Sequence, residues 1–297
     1  MYCPSQPLLI GVDGGGTGCR VAIGTHVEGV LGRAEGGSAN ATSNFEKTIE
    51  NVISTVEKAV VAAGISLEVL SDARAHLGLA GAISDEDKLR VSRALPYAES
   101  VVTDDRATTV FGALRGDDGY VVSVGTGTIV GGSTAGAFRF VGGWGFQVSD
   151  HGSGAWLGRN ILEQVLLGYD GLLESSALTE TVFSQFDNDP SKIVAFCSAA
   201  TPGAFATLAP AIVAGAGRGD PIGKDLMARG AGYLLQGLVR LGFQAGDSLC
   251  LIGGLGPHYA DYFTAGSLKG RIPAKGSALD GAFALARSGK TKLRGHK

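Results

Sequence analysis

Short apolar segments separated by glycine-rich turns predict three β-strands in the first part of the chain. The three strands are predicted over residues 8–13, 21–25 and 29–34. The apolar period then changes to that of a helix up to Gly64, and Ser43 followed by Glu46 has the pattern of a capping box at its start. Strands are next predicted at 76–80 and 100–103, and helices at 84–95 and 106–114.

The same succession begins again in the second half of the chain. Strands are predicted over residues 120–124, 129–132, 137–141 and 248–252. Between the last two of them lies a helical region, 152–242, with breaks near Gly168, Asp187, Thr201 and Gly217. A final amphipathic helix is predicted at 279–287. Because both halves begin with a β-meander and a Gly-Thr turn, the pattern indicates a duplicated architecture.

These elements predict an α/β fold with two domains. The first is predicted at 1–107 and is joined by the C-terminal helix at about 279–288, whereas the second occupies 108–278 and carries the helical insertion. No linker rich in proline or serine separates them, so we expect close-packed lobes with a cleft between them.

Composition excludes several classes of function. The 297 residues are 44% apolar and 18% charged, and the net charge of −3 provides no basic surface for nucleic acid or an anionic membrane. Neither a signal-peptide pattern nor an apolar run of about 18 residues is visible, so we expect a cytoplasmic protein. Four cysteines without metal spacing are expected to be reduced thiols: Cys3, Cys19, Cys197 and Cys250.

The 48 glycines form clusters in two places that follow a predicted strand and include threonine. Consecutive glycines let backbone N–H groups approach a polyphosphate, and threonine adds a hydroxyl group. The alternative is a plain hairpin turn in each place. The phosphate-binding residues predicted in the first cluster are Gly14, Gly15, Gly16 and Thr17, and those in the second are Gly125, Thr126, Gly127 and Thr128.

Two further features extend this nucleotide site. Asp13 precedes the first cluster and is predicted to hold a hydrated Mg²⁺ beside the phosphates, because Mg²⁺ keeps its waters and binds few carboxylates. Gly253 and Gly254 follow the last strand and suit a loop that lies flat against an adenosine. A simple strand-to-helix turn is the alternative for this pair.

Asp104 and Asp105 follow the strand predicted at 100–103. A carboxylate at the C-terminal end of a central strand is where an α/β fold places a reacting group, and a base there accepts the proton of an attacking hydroxyl. The alternative role for either residue is to cap the next helix. We predict that Asp104 is the catalytic base, which also binds the substrate, and that Asp105 is the cap.

A second set of residues has the composition of a sugar site. Gly143 and Trp144 lie in a glycine-rich loop, where an aromatic face covers the apolar side of a sugar ring. Asp150 accepts hydrogen bonds from hydroxyl groups, or alternatively caps the helix that follows. Asn40 offers an amide that either reads ring hydroxyls or forms an Asx turn.

In order and spacing these motifs resemble the BadF/BadG-type ATPases and N-acetylglucosamine kinases of the actin–hexokinase–Hsp70 superfamily, and especially bacterial glucosamine kinases. The motifs are residues 11–17, 37–40, 103–104, 125–128, 149–154 and 280–282, and the resemblance extends over nearly the whole chain. It implies two ribonuclease H-like lobes, with the last helix packed on the first lobe. It also implies that ATP and a sugar bind, with Asp104 as base, Asn40 and Asp150 on the sugar, and Gly253–Gly254 on adenosine.

The resemblance implies an ATP- and Mg²⁺-dependent kinase that converts glucosamine to glucosamine 6-phosphate. An N-acetylglucosamine kinase is the alternative, because the loop with Trp144 resembles the mammalian N-acetylglucosamine enzymes, and His151 replaces the Glu or Gln of many relatives. An activator ATPase of an acyl-CoA dehydratase shares the fold, but needs cysteine ligands for a cluster. A non-catalytic sugar sensor is a third alternative. The sequence leaves open whether the protein forms a homodimer.

Overall fold

The computed structural model describes residues 6–42, 44–289 and the backbone of 294–295. It divides the chain into two compact units. The first unit consists of the described residues of Met1–Asp118, Ser133–Phe138 and Ala274–Lys297, and the second of Gly119–Gly132 and Arg139–Pro273. Each unit has its own buried core.

The sheet of the first unit has the strand order β3-β2-β1-β4-β5. Its strands are β1 (Leu9–Gly14), β2 (Cys19–Thr25), β3 (Gly29–Gly36), β4 (Arg74–Leu79) and β5 (Glu99–Thr103). β1, β2 and β3 form the predicted antiparallel meander, whereas β4 and β5 continue the sheet in parallel with β1. β1 is buried along its whole length, as expected for a central strand covered on both faces.

The helices of this unit begin at polar caps. They are α1 (Phe45–Ala62), α2 (Asp85–Ala94) and α3 (Asp105–Leu114), together with α10 (Ala278–Ser288) near the C-terminus. Ser43, the predicted cap of α1, lies outside the described residues, and the side chain of Asn44 accepts the Lys47 N–H as the observed cap. Ser84 forms the complete capping box of α2 with Asp87.

The last helix packs on the first sheet. Leu279, Phe283 and Ala286 of α10 form an apolar cluster with Leu9 of β1 and Ala22 of β2. The approach is so close that a β-carbon at Gly11 would lie 2.4 Å from the backbone nitrogen of Phe283, which requires glycine at that position.

The second sheet has the strand order β10-β8-β7-β6-β9. Its strands are β6 (Gly119–Val124), β7 (Thr128–Thr134), β8 (Ala137–Val141), β9 (Leu249–Ile252) and the short β10 (Arg294–Gly295). Three consecutive strands again lie side by side, and β9 pairs in parallel with β6 as β4 does with β1. The predicted α/β fold with two related sheets is therefore confirmed.

Between β8 and β9 lie six helices that enclose the core of the second unit. They are α4 (Gly154–Tyr169), α5 (Ala177–Ser184), α6 (Pro190–Ala199), α7 (Pro202–Ala206), α8 (Ala209–Gly217) and α9 (Pro221–Leu241). Four of their five junctions agree with the predicted breaks of the helical region, whereas the junction between α7 and α8 was not predicted. Among the residues that the structure describes, none of the helices has the length and apolar character to cross a membrane.

The core of the first unit contains a histidine that we expect to control acid stability. His76 of β4 is 1% exposed, and its Nε2 lies 3.3 Å from the Thr103 hydroxyl. Burial lowers the pKa of His76 from 6.5 to about 4, so the unfolded chain binds this proton more readily. The stability that the neutral ring provides is present above pH 6.5 and is lost as the pH falls to about 4.

We therefore predict that this group alone lowers the free energy of unfolding by up to about 3 kcal/mol over that pH range. Urea unfolding at a series of pH values measures the slope, and His76→Gln should reduce it. The two proteins are compared by the slope of their unfolding free energy against pH. The absolute free energies are not compared, because the substitution also changes packing and hence stability at every pH. Parallel curves for the two proteins would contradict the prediction.

Candidate functional site

The first glycine cluster forms the turn between β1 and β2. The N–H of Gly15 donates to the carbonyl of Gly18 at 2.9 Å, and the carbonyl of Gly15 accepts from Ala39. In the described part of the chain, the N–H groups of Gly16 and Thr17 have no protein acceptor, and both residues are exposed. The turn thus presents two N–H groups and a hydroxyl to solvent, which is the arrangement that binds phosphate oxygens.

Asp13 lies at the base of this turn and is buried. It stands opposite Arg20 in the register of β1 and β2, and its carboxylate forms an ion pair with the Arg20 guanidinium. Burial raises the pKa of Asp13, and Arg20 opposes that shift less strongly. Arg20 was not identified from the sequence. Its position on the far side of the predicted hairpin from Asp13 could have indicated a cross-strand pair of opposite charges.

The structure corrects the predicted cap of α3. Asp104, not Asp105, is the N-cap, because the Asp104 carboxylate accepts the Arg106 N–H at 3.0 Å. The same carboxylate pairs with the Arg106 guanidinium at 3.0 and 3.2 Å, and both side chains are largely buried. Asp104 is therefore held by its own helix.

Asp105 occupies the first turn of α3 and has a different environment. Among the described residues its carboxylate has no ion pair. Burial raises the pKa of Asp105 to about 6, and the negative charges of Asp104 and Asp13 add to the shift. A partly desolvated carboxylate close enough to Asp13 for the two charges to interact has the properties of a general base, since its pKa approaches neutrality.

Asn40 is also in the first unit and makes an isolated bridge with Ala80. Its side-chain oxygen accepts from the N–H of Thr42 at 3.1 Å and from the Thr42 hydroxyl at 3.0 Å. The Asx-turn alternative is thus observed. The role of Asn40 as a sugar ligand stays a prediction.

The second glycine cluster connects β6 and β7. The N–H of Gly125 donates to the carbonyl of Gly127 at 3.0 Å, and Thr126 is exposed. In the described ranges, the N–H groups of Thr126 and Gly127 have no protein acceptor. Thr128 differs, because its hydroxyl is buried and donates to the carbonyl of His151 at 3.1 Å.

Asp150 reaches the second cluster from the segment between β8 and α4. It is 8% exposed, and its Oδ2 lies 2.9 Å from the position that a β-carbon would take at Gly127. Burial raises the pKa of Asp150, while a hydrogen bond from the Gly145 N–H and the nearby His151 lower it. Ser153 caps α4 through the Trp156 N–H, so the alternative that Asp150 is this cap is wrong.

The loop that follows β8 is built on glycine. Gly142, Gly143 and Gly145 have φ angles of 70°, 72° and 96°, in the left-handed region that glycine favours. Trp144 lies between them with 59% of its surface exposed. An exposed indole on such a loop is available to a ligand, which is compatible with the predicted sugar contact.

Gly253 and Gly254 lie beside the second cluster. Gly253 has a φ of 79°, and a β-carbon there would lie 2.3 Å from the carbonyl oxygen of Val124, the last residue of β6. The N–H of Leu255 donates to the same carbonyl. The structure therefore brings the second cluster, Asp150 and the Gly253 turn together within the second unit.

The donor set fits a magnesium ion bound through water better than a metal held by the protein alone. Within the described ranges, no group of three or more His, Cys, Asp or Glu side chains could hold a metal ion. Mg²⁺ in phosphate sites needs only one or two carboxylates, and Asp13 and Asp105 are near enough to affect each other. Cys19 and Cys250 are buried thiols and Cys197 is exposed, whereas Cys3 lies outside the described residues.

Comparison with known proteins agrees with these features. A glucosamine kinase, GspK, of Vibrio cholerae serotype O1 is 30% identical over 278 residues, which cover 93% of this chain and 95% of that protein. An N-acetylmuramic acid/N-acetylglucosamine kinase of Clostridium acetobutylicum is 30% identical over 176 residues, 57% of each chain.

The structural comparison covers most of the chain. A crystal structure of a protein assigned as an N-acetylglucosamine kinase of Chromobacterium violaceum has 32% identity and a TM-score of 0.88, and the match covers 95% of this chain and 100% of that one. This likeness confirms the predicted actin-like fold of sugar kinases. Residues 10–260 match the BadF/BadG/BcrA/BcrD ATPase family, and the chain therefore belongs to that family.

Proposed function

We propose that this protein is an ATP-dependent amino-sugar kinase that phosphorylates glucosamine at the 6-hydroxyl to give glucosamine 6-phosphate. The observation that carries the proposal is a partly desolvated carboxylate, Asp105, whose pKa is affected by Asp13 at the base of a glycine turn with unpaired N–H groups. Similarity to a glucosamine kinase along nearly the whole chain supports the same reaction.

The chemical step needs a base for the proton of the attacking hydroxyl. Sequence reasoning assigned this role to Asp104, and that assignment stays open. The contacts favour Asp105, because Arg106 and the helix terminus already engage both oxygens of Asp104. A carboxylate with no ion pair among the described residues and a pKa of about 6 is mostly ionised at neutral pH and still basic enough to accept a proton.

The nucleotide is proposed to bind the glycine turns. In the first unit, the N–H groups of Gly16 and Thr17 would contact phosphate oxygens, with Gly14 and Gly15 shaping the turn. In the second unit, Thr126 and Gly127 would do so beside Gly125, and Gly253 with Gly254 would contact the adenosine. Mg²⁺ would be held through water by Asp13, where it neutralises phosphate charge.

The sugar is proposed to contact Asp104 or Asp105 and Asn40 in the first unit. In the second unit it would contact Asp150, Gly143 and Trp144. Among these residues, Asp150 bears most directly on which sugar is bound. A buried carboxylate with no ion pair among the described residues forms both an ion pair and a hydrogen bond with an ammonium group, whereas a neutral acetamide N–H only donates a hydrogen bond to it.

We therefore predict that glucosamine is the best substrate, N-acetylglucosamine the second and glucose a poor third. A coupled assay of ADP release across a panel of hexoses measures kcat/KM for each sugar. The loss of the ammonium–carboxylate ion pair is expected to lower kcat/KM by roughly 10-fold or more.

The same assay separates the alternatives. A higher kcat/KM for N-acetylglucosamine would identify the protein as an N-acetylglucosamine kinase and make the Trp144 loop the better guide to the sugar. No turnover with any hexose would contradict the proposed function. An iron–sulfur absorbance after anaerobic purification would instead indicate the activator ATPase.

A further inference from the structure

The loop 125–128 and the segment 150–155 are joined at each residue of the loop. The Gly125 carbonyl accepts the Gly154 N–H at 2.8 Å, and the Thr126 carbonyl accepts the Ala155 N–H at 3.2 Å. Asp150 lies against Gly127, and the Thr128 hydroxyl donates to the carbonyl of His151. The proposed phosphate-binding turn and the proposed sugar carboxylate are thus two sides of one hydrogen-bonded structure.

The segment adopts an unfavourable backbone that needs such support. Asp150 has a φ of 57° and Gly152 a φ of 77°, so two left-handed residues lie close together. Aspartate tolerates this conformation better than most residues, but it is still less favourable than a right-handed one and persists where its surroundings hold it. Movement of this turn would displace the Asp150 carboxylate directly.

Two buried hydroxyl groups donate to successive carbonyls of the turn 150–152. Thr128 is 3% exposed and bonds the carbonyl of His151, and Tyr259 is fully buried and donates to the carbonyl of Gly152 at 2.5 Å. The Tyr259 hydroxyl also packs on Gly230, where a β-carbon would lie 2.4 Å from it. Tyr259 therefore attaches the turn to the helical core, whereas Thr128 attaches it to the phosphate-binding turn.

We propose that Thr128 is a positioning residue, which transmits the state of the second phosphate-binding turn to Asp150. Its hydroxyl is committed to a backbone carbonyl inside the protein rather than to a phosphate. A nucleotide that fixes the turn 125–128 then also fixes Asp150 in the position that receives the sugar. Nucleotide and sugar consequently strengthen each other's binding within the second unit, and this inference rests on the proposed function.

The test uses isothermal titration of glucosamine in the absence and presence of a non-hydrolysable ATP analogue with Mg²⁺. For the wild-type protein the glucosamine Kd is expected to fall by about fivefold or more when the analogue is bound, the lower end of typical coupling between sites. Thr128→Val has nearly the same shape without the hydroxyl, and we expect it to reduce this ratio to less than half. Thr128→Ser retains the hydroxyl and is expected to restore the ratio.

Measurements of Tm for each variant separate a loss of stability from a loss of coupling between nucleotide and sugar. A merely structural role for Thr128 would lower Tm and leave the ratio of Kd values unchanged, which would overturn the proposal. Tyr259→Phe provides a second variant, because it releases the turn from the core and is expected to weaken glucosamine binding with and without nucleotide alike. Wild-type protein that binds no amino sugar would contradict the proposed function, whereas binding with an unchanged ratio in Thr128→Val contradicts only this inference.

Discussion

Replacing Asp105 by Asn is expected to lower kcat by about 10²–10⁴-fold, the usual contribution of a general base. The amide retains the shape of the side chain and much of its hydrogen bonding, but it cannot accept the proton of the sugar hydroxyl. The KM for the sugar should therefore change far less than kcat. Steady-state kinetics with glucosamine and ATP measure both constants.

Asp104→Asn is the matched control, because it removes a neighbouring carboxylate of the same size. Asp104 caps α3 and pairs with Arg106. Asparagine caps a helix about as well as aspartate, so the variant is expected to lose about 1–3 kcal/mol of stability through the weakened pair with Arg106 and to leave turnover largely intact. The reverse result, with Asp104→Asn inactive and Asp105→Asn active, would establish Asp104 as the base. If neither variant loses turnover, the base lies elsewhere and Asp150 is the next candidate.

The raised pKa of Asp105 gives this pair a second readout. Since its pKa is about 6, wild-type kcat/KM should fall as the pH decreases through that value.

The folded protein also holds the Asp105 proton more tightly than the unfolded chain does, so ionisation of Asp105 costs stability as the pH rises from about 4 to about 6. Asp105→Asn should thus be more stable than wild type above pH 6, by up to about 3 kcal/mol, with no such gain below pH 4.

Much of the fold was predictable because local signals agreed with one another. The strands of both meanders, the helix that begins after Ser84 and four of the breaks in the helical region follow from apolar period and glycine positions. The predicted cap of α1 did not, because Asn44 is the observed one. The pairing of strands that are far apart in sequence was harder to predict. The parallel pairing of β6 with β9 joins segments separated by the whole helical region, and no periodicity encodes it.

The site was predictable as a set of residue types but not in the role of each residue. Asp104 and Asp105 are adjacent and chemically identical, so only the direction in which each carboxylate points separates cap from base. Thr128 looked like a phosphate ligand because it ends a Gly-Thr motif, yet its hydroxyl is buried against His151. Tyr259 lies 107 residues from the carbonyl it holds, so nothing in local sequence connects them.

The last prediction concerns the metal. Asp13→Asn is expected to lower kcat by about 10²–10³-fold at a fixed Mg²⁺ concentration and to raise the Mg²⁺ concentration required for half-maximal velocity. A bound metal contributes several kcal/mol of charge stabilisation in phosphoryl transfer, and about 1.4 kcal/mol corresponds to a factor of 10 in rate. The neutral amide binds hydrated Mg²⁺ more weakly than the buried carboxylate does. The measurement is initial velocity as a function of Mg²⁺ at saturating ATP and glucosamine.

Glu35→Gln is the control for charge alone. Glu35 lies on β3, opposite Arg20 in the register of the same sheet, and it is exposed. Its substitution removes one negative charge close to the Asp13–Arg20 pair without touching the glycine turn, so the Mg²⁺ dependence should match that of wild type. If the Mg²⁺ concentration for half-maximal velocity rose equally in both variants, the effect of Asp13→Asn would come from the loss of any nearby negative charge and not from a metal contact of Asp13. Full wild-type activity in excess EDTA would contradict the metal requirement itself, whereas a normal Mg²⁺ response of Asp13→Asn would contradict only the role of Asp13.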